Sequence, residues 1–517
     1  MATTQTRNMT AQDGGGLDRE ILRLGAVVVI GSIMAILDAT IVNVAIPTLG
    51  RDFHTSISTI QWVMTGYLLA FASVIPLTGW AGERFGAKRV WIASLAVFMA
   101  GSALAGSAWS ITALIVFRVI QGFGGGLLMP VGQTILARAA GPQRIGRVMS
   151  VVGVPMLLGP VFGPVIGGAI VDQISWRWIF FVNLPIGLLA IFLAWRLLPK
   201  AAPRFGERLD VRGLALLSPG LAIFVYGMSE AGASGGFGAG RALAGIAIGL
   251  ALVALFVWHA WLRGRAALID VSLFARRAFA AAAGTNLLVG IALFGALILL
   301  PLYYQLVRGE SPLATGLLLM PHGLGAALAM PIAGRMTDEI GARLVIPFGI
   351  VLALVGTLAF TQVGANSSYA FLVGSLFVIG LGLGTTIVPS MAVAYQAVPR
   401  EAVAQATSTI NVIQRIAGSV GTALLAVVLQ RSIATSLPGH VGGIGALASL
   451  SQKGRAQVAP ALADAFGTAF WVAFGLVIAA LIPALFLPRI RSYGGAPSAP
   501  GPEATSLWTV RRRSRAG

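Results

Sequence analysis

Cysteine is absent from the chain, which removes disulfides, thiolate catalysis and cysteine-held metal sites together. Charge is also scarce. Only 10% of residues are Asp, Glu, Lys or Arg, against about a quarter in a soluble protein. The three lysines, Lys88, Lys200 and Lys453, follow Ala87, Pro199 and Gln452. None completes the Gly-Lys-Ser/Thr end of a phosphate-binding loop, so the chain is not an ATP-driven pump. Four scattered histidines form neither an HExxH pair nor a zinc cluster. No metal, no cofactor and no enzymatic activity are expected.

What the chain does contain is apolar length. Of 517 residues 57% are hydrophobic, and mean hydropathy is +0.86. This composition makes it a polytopic membrane protein. Residues 1–20 are polar, and the first apolar run is long enough to span, so no signal peptide is expected. A span needs roughly 20 mostly apolar residues, and fourteen such stretches follow one another from residue 24 to residue 487. An even number puts both termini on one side. Twenty-seven of the 36 Lys and Arg residues then fall on the side of the termini and seven on the other; Arg118 and Arg415 lie within spans. The positive-inside rule makes the first side the cytoplasm. The net charge of +19 thus fixes topology, and a nucleic-acid partner is not expected. Arginine supplies 33 of the basic residues, which hints at a GC-rich bacterial source.

A weak repeat divides the chain. GWAGERFGAKR (Gly79 to Arg89) follows span 2, and GRMTDEIGAR (Gly334 to Arg343) follows span 10. Both read as tight, acid-bearing turns in which Gly86 and Gly341 permit the sharp backbone. If they mark equivalent points, the fold is all-α, with two six-helix bundles and an inserted hairpin. The expected divisions are a tail at 1–23, a bundle at 24–208, the hairpin at 209–264, a bundle at 265–488 and a disordered basic tail at 489–517. The glycine-rich 231–240 loop and the 431–463 loop are expected to be mobile outside segments.

The functional candidates are the residues that cost most in a membrane. Asp38 stands in the middle of span 1, where a charge costs at least about 2.5–3.5 kcal/mol, so it needs a partner, a proton or water. Arg118 in span 4 stays charged and must meet an acid or carbonyls; Asp38 is the mid-span acid available. Gln121 lies one turn on, and Gly122, Gly124, Gly125 and Gly126 thin the helix. Arg415 in span 13, with Asn411 and Gln414, either ties helices or lines a cavity. His322 in span 10 is a pH-sensitive candidate or a packing donor.

The stretch GVPMLLGPVFGPVIGG (Gly153 to Gly168) is the densest signal. Gly159, Gly163 and Gly167 fall four apart and offer one helix face for close approach. Pro160 and Pro164 remove amide donors, so a kink or flexible point is expected. It is read as a seam that bends or seals while a site changes sides.

These motifs together resemble the fourteen-span drug:proton antiporters of the major facilitator superfamily, the QacA/EmrB type. The resemblance rests on LDATIVNVAIP (37–47), Gly79 to Arg89, Arg118 to Gly126, Gly153 to Gly168 and WRWIFFVNLPIG (176–187), and covers residues 24–430. It implies the major facilitator fold and a proton-gradient-driven exporter of lipophilic small molecules or drugs in a bacterial cell membrane. The exchange would proceed by alternating access. The protein would be a monomer, with protons, substrate and bilayer as partners. Asp38 and Arg118 would serve proton coupling. Gly79, Gly82, Glu83, Arg84, Gly86 and Arg89, with Asp338 and Gly341 in the second half, would serve gating. Glu83 departs from the usual aspartate of that loop. Asn43, Trp62, Tyr67, Gln121, Asn286, Tyr303, Tyr304, His322, Asn411 and Arg415 are cavity candidates, with Phe294, for neutral or monocationic lipophiles. Export of a metabolite, siderophore or lipid is the alternative, and proton symport a further one.

Overall fold

The structure is a computed structural model, and it describes residues 19–55, 57–141, 144–199, 208–437 and 452–488. The tails expected at 1–23 and 489–517 lie outside these residues except for 19–23, as do 438–451 of the loop at 431–463 and the segment 200–207. Among the described residues every regular element is helical. The long helices are α1 (Arg19–Asp52), α2 (Ile57–Val74), α3 (Ala87–Gly106), α4 (Ile111–Ala140), α5 (Ile145–Gln173), α6 (Asn183–Leu197) and α7 (Val211–Ser234). They continue as α8 (Gly240–Arg263), α9 (Arg277–Leu302), α10 (Pro312–Glu339), α11 (Ala342–Thr361), α12 (Tyr369–Gln396), α13 (Val403–Ser436) and α14 (Gln452–Leu485).

Among the described residues 12 segments are long and apolar enough to cross a membrane. One of them, Thr59–Gly106, holds 48 residues and contains both α2 and α3, broken at Gly86. The 29-residue α5 is long as well but stands outside those segments.

Local chemistry explains where helices begin. The side chains of Ser110, Asp210, Ser311 and Ser368 accept the amide hydrogens of Ala113, Gly213, Ala314 and Phe371, which would otherwise be orphaned at the first turn. Gly86 and Gly341 occupy the same place in their halves, each just before a helix, with φ of 87° and 96°. A side chain would be strained there, which is why both turns need glycine.

Packing sorts the helices. α1 lies against α4, α5 and α6, and α3 against α4 and α6; α9 lies against α12, α13 and α14, and α10 and α11 against α12. The two bundles meet through α5 with α10 and α12, and through α13 with α4. The hairpin α7–α8 packs on itself, and its α7 face touches both α2 and α13, one from each bundle. The outer face of α8 keeps Leu243, Ile248, Trp258 and Trp261 exposed, as lipid contact requires.

Two expectations need correction. Helix α14 begins at Gln452 rather than near residue 465, because Val458, Ala459, Leu462 and Ala463 already pack into the outer core of the second bundle. The 231–240 segment is anchored where it starts: α7 runs to Ser234, and Gln430 of α13 donates to the Gly232 carbonyl at 2.9 Å. Helix α5 is continuous through Pro160 and Pro164.

Candidate functional site

The site grows from α1. Asp38 lies 19 residues beyond Arg19 in a 34-residue helix, so it sits near the middle of the bilayer, and it is 1% exposed. Arg118 on α4 donates to its Oδ2 at 2.5 Å. Gln121, one turn along α4, accepts from Arg118 at 2.7 Å and donates to Asp38 Oδ1 at 2.8 Å. Asn183 at the start of α6 adds a second donor to Oδ1 at 3.2 Å, and it also donates to the Ser102 hydroxyl at 3.0 Å. Arg118 Nε donates to the Val63 carbonyl of α2, and its guanidinium lies 4.1 Å above the Tyr67 ring. Helices α2, α4 and α6 therefore supply donors, an acceptor or a π-face to one ion pair. Burying both charges is tolerable only with such extra bonds. One guanidinium nitrogen, Nη2, is nevertheless buried without a hydrogen-bond partner among the described residues.

Glycines of α3 and α4 make this convergence possible. A Cβ at Gly122 or Gly101 would lie within 2.7 Å of the Tyr67 backbone or the Gln121 backbone. The helices thus approach at backbone distance. Tyr67 donates to the Ala35 carbonyl and closes the ring back onto α1.

The α5 seam packs on the same helix. A Cβ at Gly159 would overlap Ile36 and one at Gly163 would overlap Thr40 Oγ1, while at Gly167 it would come within 3.0 Å of Ile41. Gly153 points the other way, toward Met330 and Val388 of the second bundle. The stretch from 153 to 168 therefore sits between α1 and the opposite half. The side chains of Pro160, Pro164 and Asn43 lie outside the described residues.

On the cytoplasmic side the bundles are in contact. Asp338, at the end of α10, accepts from the backbone amides of Gly146 and Arg147 at 3.3 Å each and lies 3.7 Å from the Arg147 guanidinium. A carboxylate at the start of α5 is favoured by the helix dipole. Gly146 and Gly334 approach there backbone to backbone. Glu83 pairs with Arg138 on α4 of its own half. A Cβ at Gly79 would make ordinary contact with Ala404 at 3.5 Å, whereas one at Gly82 would meet open space. Gly82 is thus not required for packing here. Arg84 is half-buried and Arg89 exposed.

A central pocket lies between the bundles, with Gln133, Asn286, Phe294, Ser390 and Gln414 among its lining. Asn286 donates to Ser390 at 2.9 Å, and Asn411 donates to Gln133 across the two halves at 2.7 Å. Arg415 projects from α13 over the Phe71 ring at 4.2 Å. The other cavity candidates lie elsewhere. Trp62 stacks on Tyr226 of the hairpin, because α7 covers that face of α2. Tyr303 donates to the Gly364 carbonyl and, with Tyr304, is enclosed in the outer core of the second bundle. His322 is buried inside that bundle among Leu293, Phe360 and Phe470. Asn183, Ser102 and Gln133 join these hydrogen-bond networks although sequence reasoning did not single them out. Their one signal was polarity inside an apolar span.

The arrangement is that of a transporter with a charge-paired core and two halves that meet around a pocket. The Major Facilitator Superfamily family model matches residues 28–422, and the chain belongs to that superfamily. It is 44% identical over 491 residues to the multidrug resistance protein B homolog of Mycobacterium tuberculosis, covering 92% of this chain and 91% of the relative. It is 33% identical over 400 residues to the multidrug export protein EmrB of Haemophilus influenzae, covering 76% and 78%. The proton:xylose symporter XylE has a similar fold, with a TM-score of 0.61 at 13% identity over 91% of this chain and 96% of that one.

Proposed function

We propose that the protein exports lipophilic small molecules, drugs among them, across a bacterial cell membrane in exchange for protons. It would cross the bilayer fourteen times with both termini in the cytoplasm and need no cofactor beyond the gradient. The names of the multidrug relatives support the substrate class. The observation that carries the coupling is the Asp38–Arg118–Gln121–Asn183 network, an ionisable group in mid-membrane held by donors from two other helices.

The chemistry follows from that geometry. With Asp38 charged, Arg118, Gln121 and Asn183 all hold α1 against α4 and α6. A proton on Asp38 weakens those charge-assisted bonds and releases α1 to move. Helix α1 carries the α5 seam with it, because Gly159 and Gly163 leave no slack against Ile36 and Thr40. The seam in turn bears through Gly153 on Met330 of the other half. Protonation at one carboxyl is thereby converted into a shift between bundles around the central pocket.

Asp38→Asn keeps the size and most hydrogen bonds but cannot ionise. The variant is expected to reach the membrane and to lose proton-driven accumulation of dye in everted vesicles, while Asp38→Glu retains part of it. Uphill export by Asp38→Asn with unchanged pH dependence would refute the assignment.

A further inference from the structure

Arg415 is a second arginine in mid-membrane, and the network around Asp38 does not absorb it. Ala404, Ser408, Asn411 and Arg415 form one stripe on α13 that faces the first bundle. Ala404 meets Gly79, Ser408 donates to the Ile75 carbonyl at 3.1 Å, and Asn411 bonds Gln133. These three contacts are sealed. Arg415, the next member, is only half-buried and makes no hydrogen bond or ion pair among the described residues; its guanidinium rests on Phe71. Its sequence neighbour Gln414 lines the central pocket, and one turn further on a Cβ at Gly418 would come 3.6 Å from Phe294, another pocket residue.

Charge balance gives this position its meaning. Asp38 and Arg118 neutralise each other, so Arg415 leaves the core one positive charge in excess. A ring beneath a guanidinium attracts it but does not neutralise it. An uncompensated charge at this depth is costly and marks a ligand path. The planar guanidinium suits a carboxylate or sulfonate, which it can bind through two parallel bonds.

Resting on the export reading, we infer that Arg415 is the recognition residue for a lipophilic organic anion. The acid group meets the guanidinium, and the apolar body lies between Phe71 and Phe294. The side chain sits directly above the last sealed contact of α13, so the anion occupies the floor of the space between the bundles. Lipophilic cations are disfavoured there, contrary to the neutral or monocationic preference expected from the aromatic content alone.

Two xanthene dyes of similar shape and opposite charge make the test. Purified protein in nanodiscs is titrated with fluorescein and with rhodamine 6G, and binding is read by fluorescence anisotropy. The wild type is expected to bind fluorescein the more tightly. Arg415→Gln should weaken fluorescein at least tenfold and leave rhodamine 6G unchanged or tighter, and Arg415→Lys, which keeps the charge but not the paired bonds, should recover only part of the fluorescein affinity. Equal fluorescein affinity in wild type and Arg415→Gln overturns the inference. So does a wild-type preference for rhodamine 6G, a comparison that stands even if Arg415→Gln does not fold. Proton-driven export of rhodamine 6G without fluorescein binding would sink this inference alone. Loss of gradient-driven export for every substrate would sink the export reading itself.

Discussion

Asp210 shows how much one carboxylate can hold. It is 2% exposed at the start of α7, caps that helix through the Gly213 amide, accepts the Leu268 amide, and receives His259 of α8 at 2.9 Å. Arg263 lies 3.5 Å away. Burial pushes this carboxyl up, yet the bonds from His259, Gly213 and Leu268 outweigh it and hold the group below its ordinary value. A carboxyl depressed in the folded state stabilises above its unfolded pKa, about 3.9, and loses that contribution as pH falls through the lower folded value. Asp210→Asn should therefore cost about 1–3 kcal/mol at pH 7. The gap from wild type in thermal unfolding should stay constant down to about pH 5 and narrow below about pH 4. A gap that widens in acid would contradict this sign. The pairing of Asp38 with Arg118 was legible in the sequence because two mid-span charges of opposite sign must find each other. Asn183 was not, since a single amide at the start of a span looks like an interface residue until the fold aims it at Asp38.

At the scale of elements, apolar length alone located the helices, because a bilayer admits few alternatives. It missed the first turns of α14, whose polar residues lower the average although Leu462 and Phe466 are buried. The tandem aromatics Tyr303 and Tyr304 are cavity candidates of a kind more often found as interface anchors or packing; the arrival of Phe466 from α14 decides for packing. The α5 glycines were legible as a close-approach face, but not which helix they approach. That helix is α1, which fixes a prediction. Gly163→Leu places a side chain where Thr40 Oγ1 already stands, and overpacking of this kind costs about 1–3 kcal/mol. The protein should still be found in the membrane, and dye export from cells should fall at least tenfold. Near-normal export would reduce the seam to ordinary packing.

At the scale of the whole molecule, the arginine distribution and the helix order make a joint claim about sidedness. Single cysteines introduced at Gly235 and Pro312 into this cysteine-free chain should react with an impermeant maleimide from outside intact cells, and one at Gly264 should react only after permeabilisation. Reversed labelling at Gly264 would break the reading of α7–α8 as one inserted hairpin. That hairpin has a consequence of its own. If the bundles rock as proposed, they part along two flanks, one along α2 and α13 and one along α5 and α10. Helix α7 lies over the first, held to α2 by Trp62 and Tyr226 and to α13 by Gln430. One side door is thus boarded up from the surrounding lipid, and on the export reading a greasy molecule that wanders in sideways from the leaflet would have to come past α5 and α10.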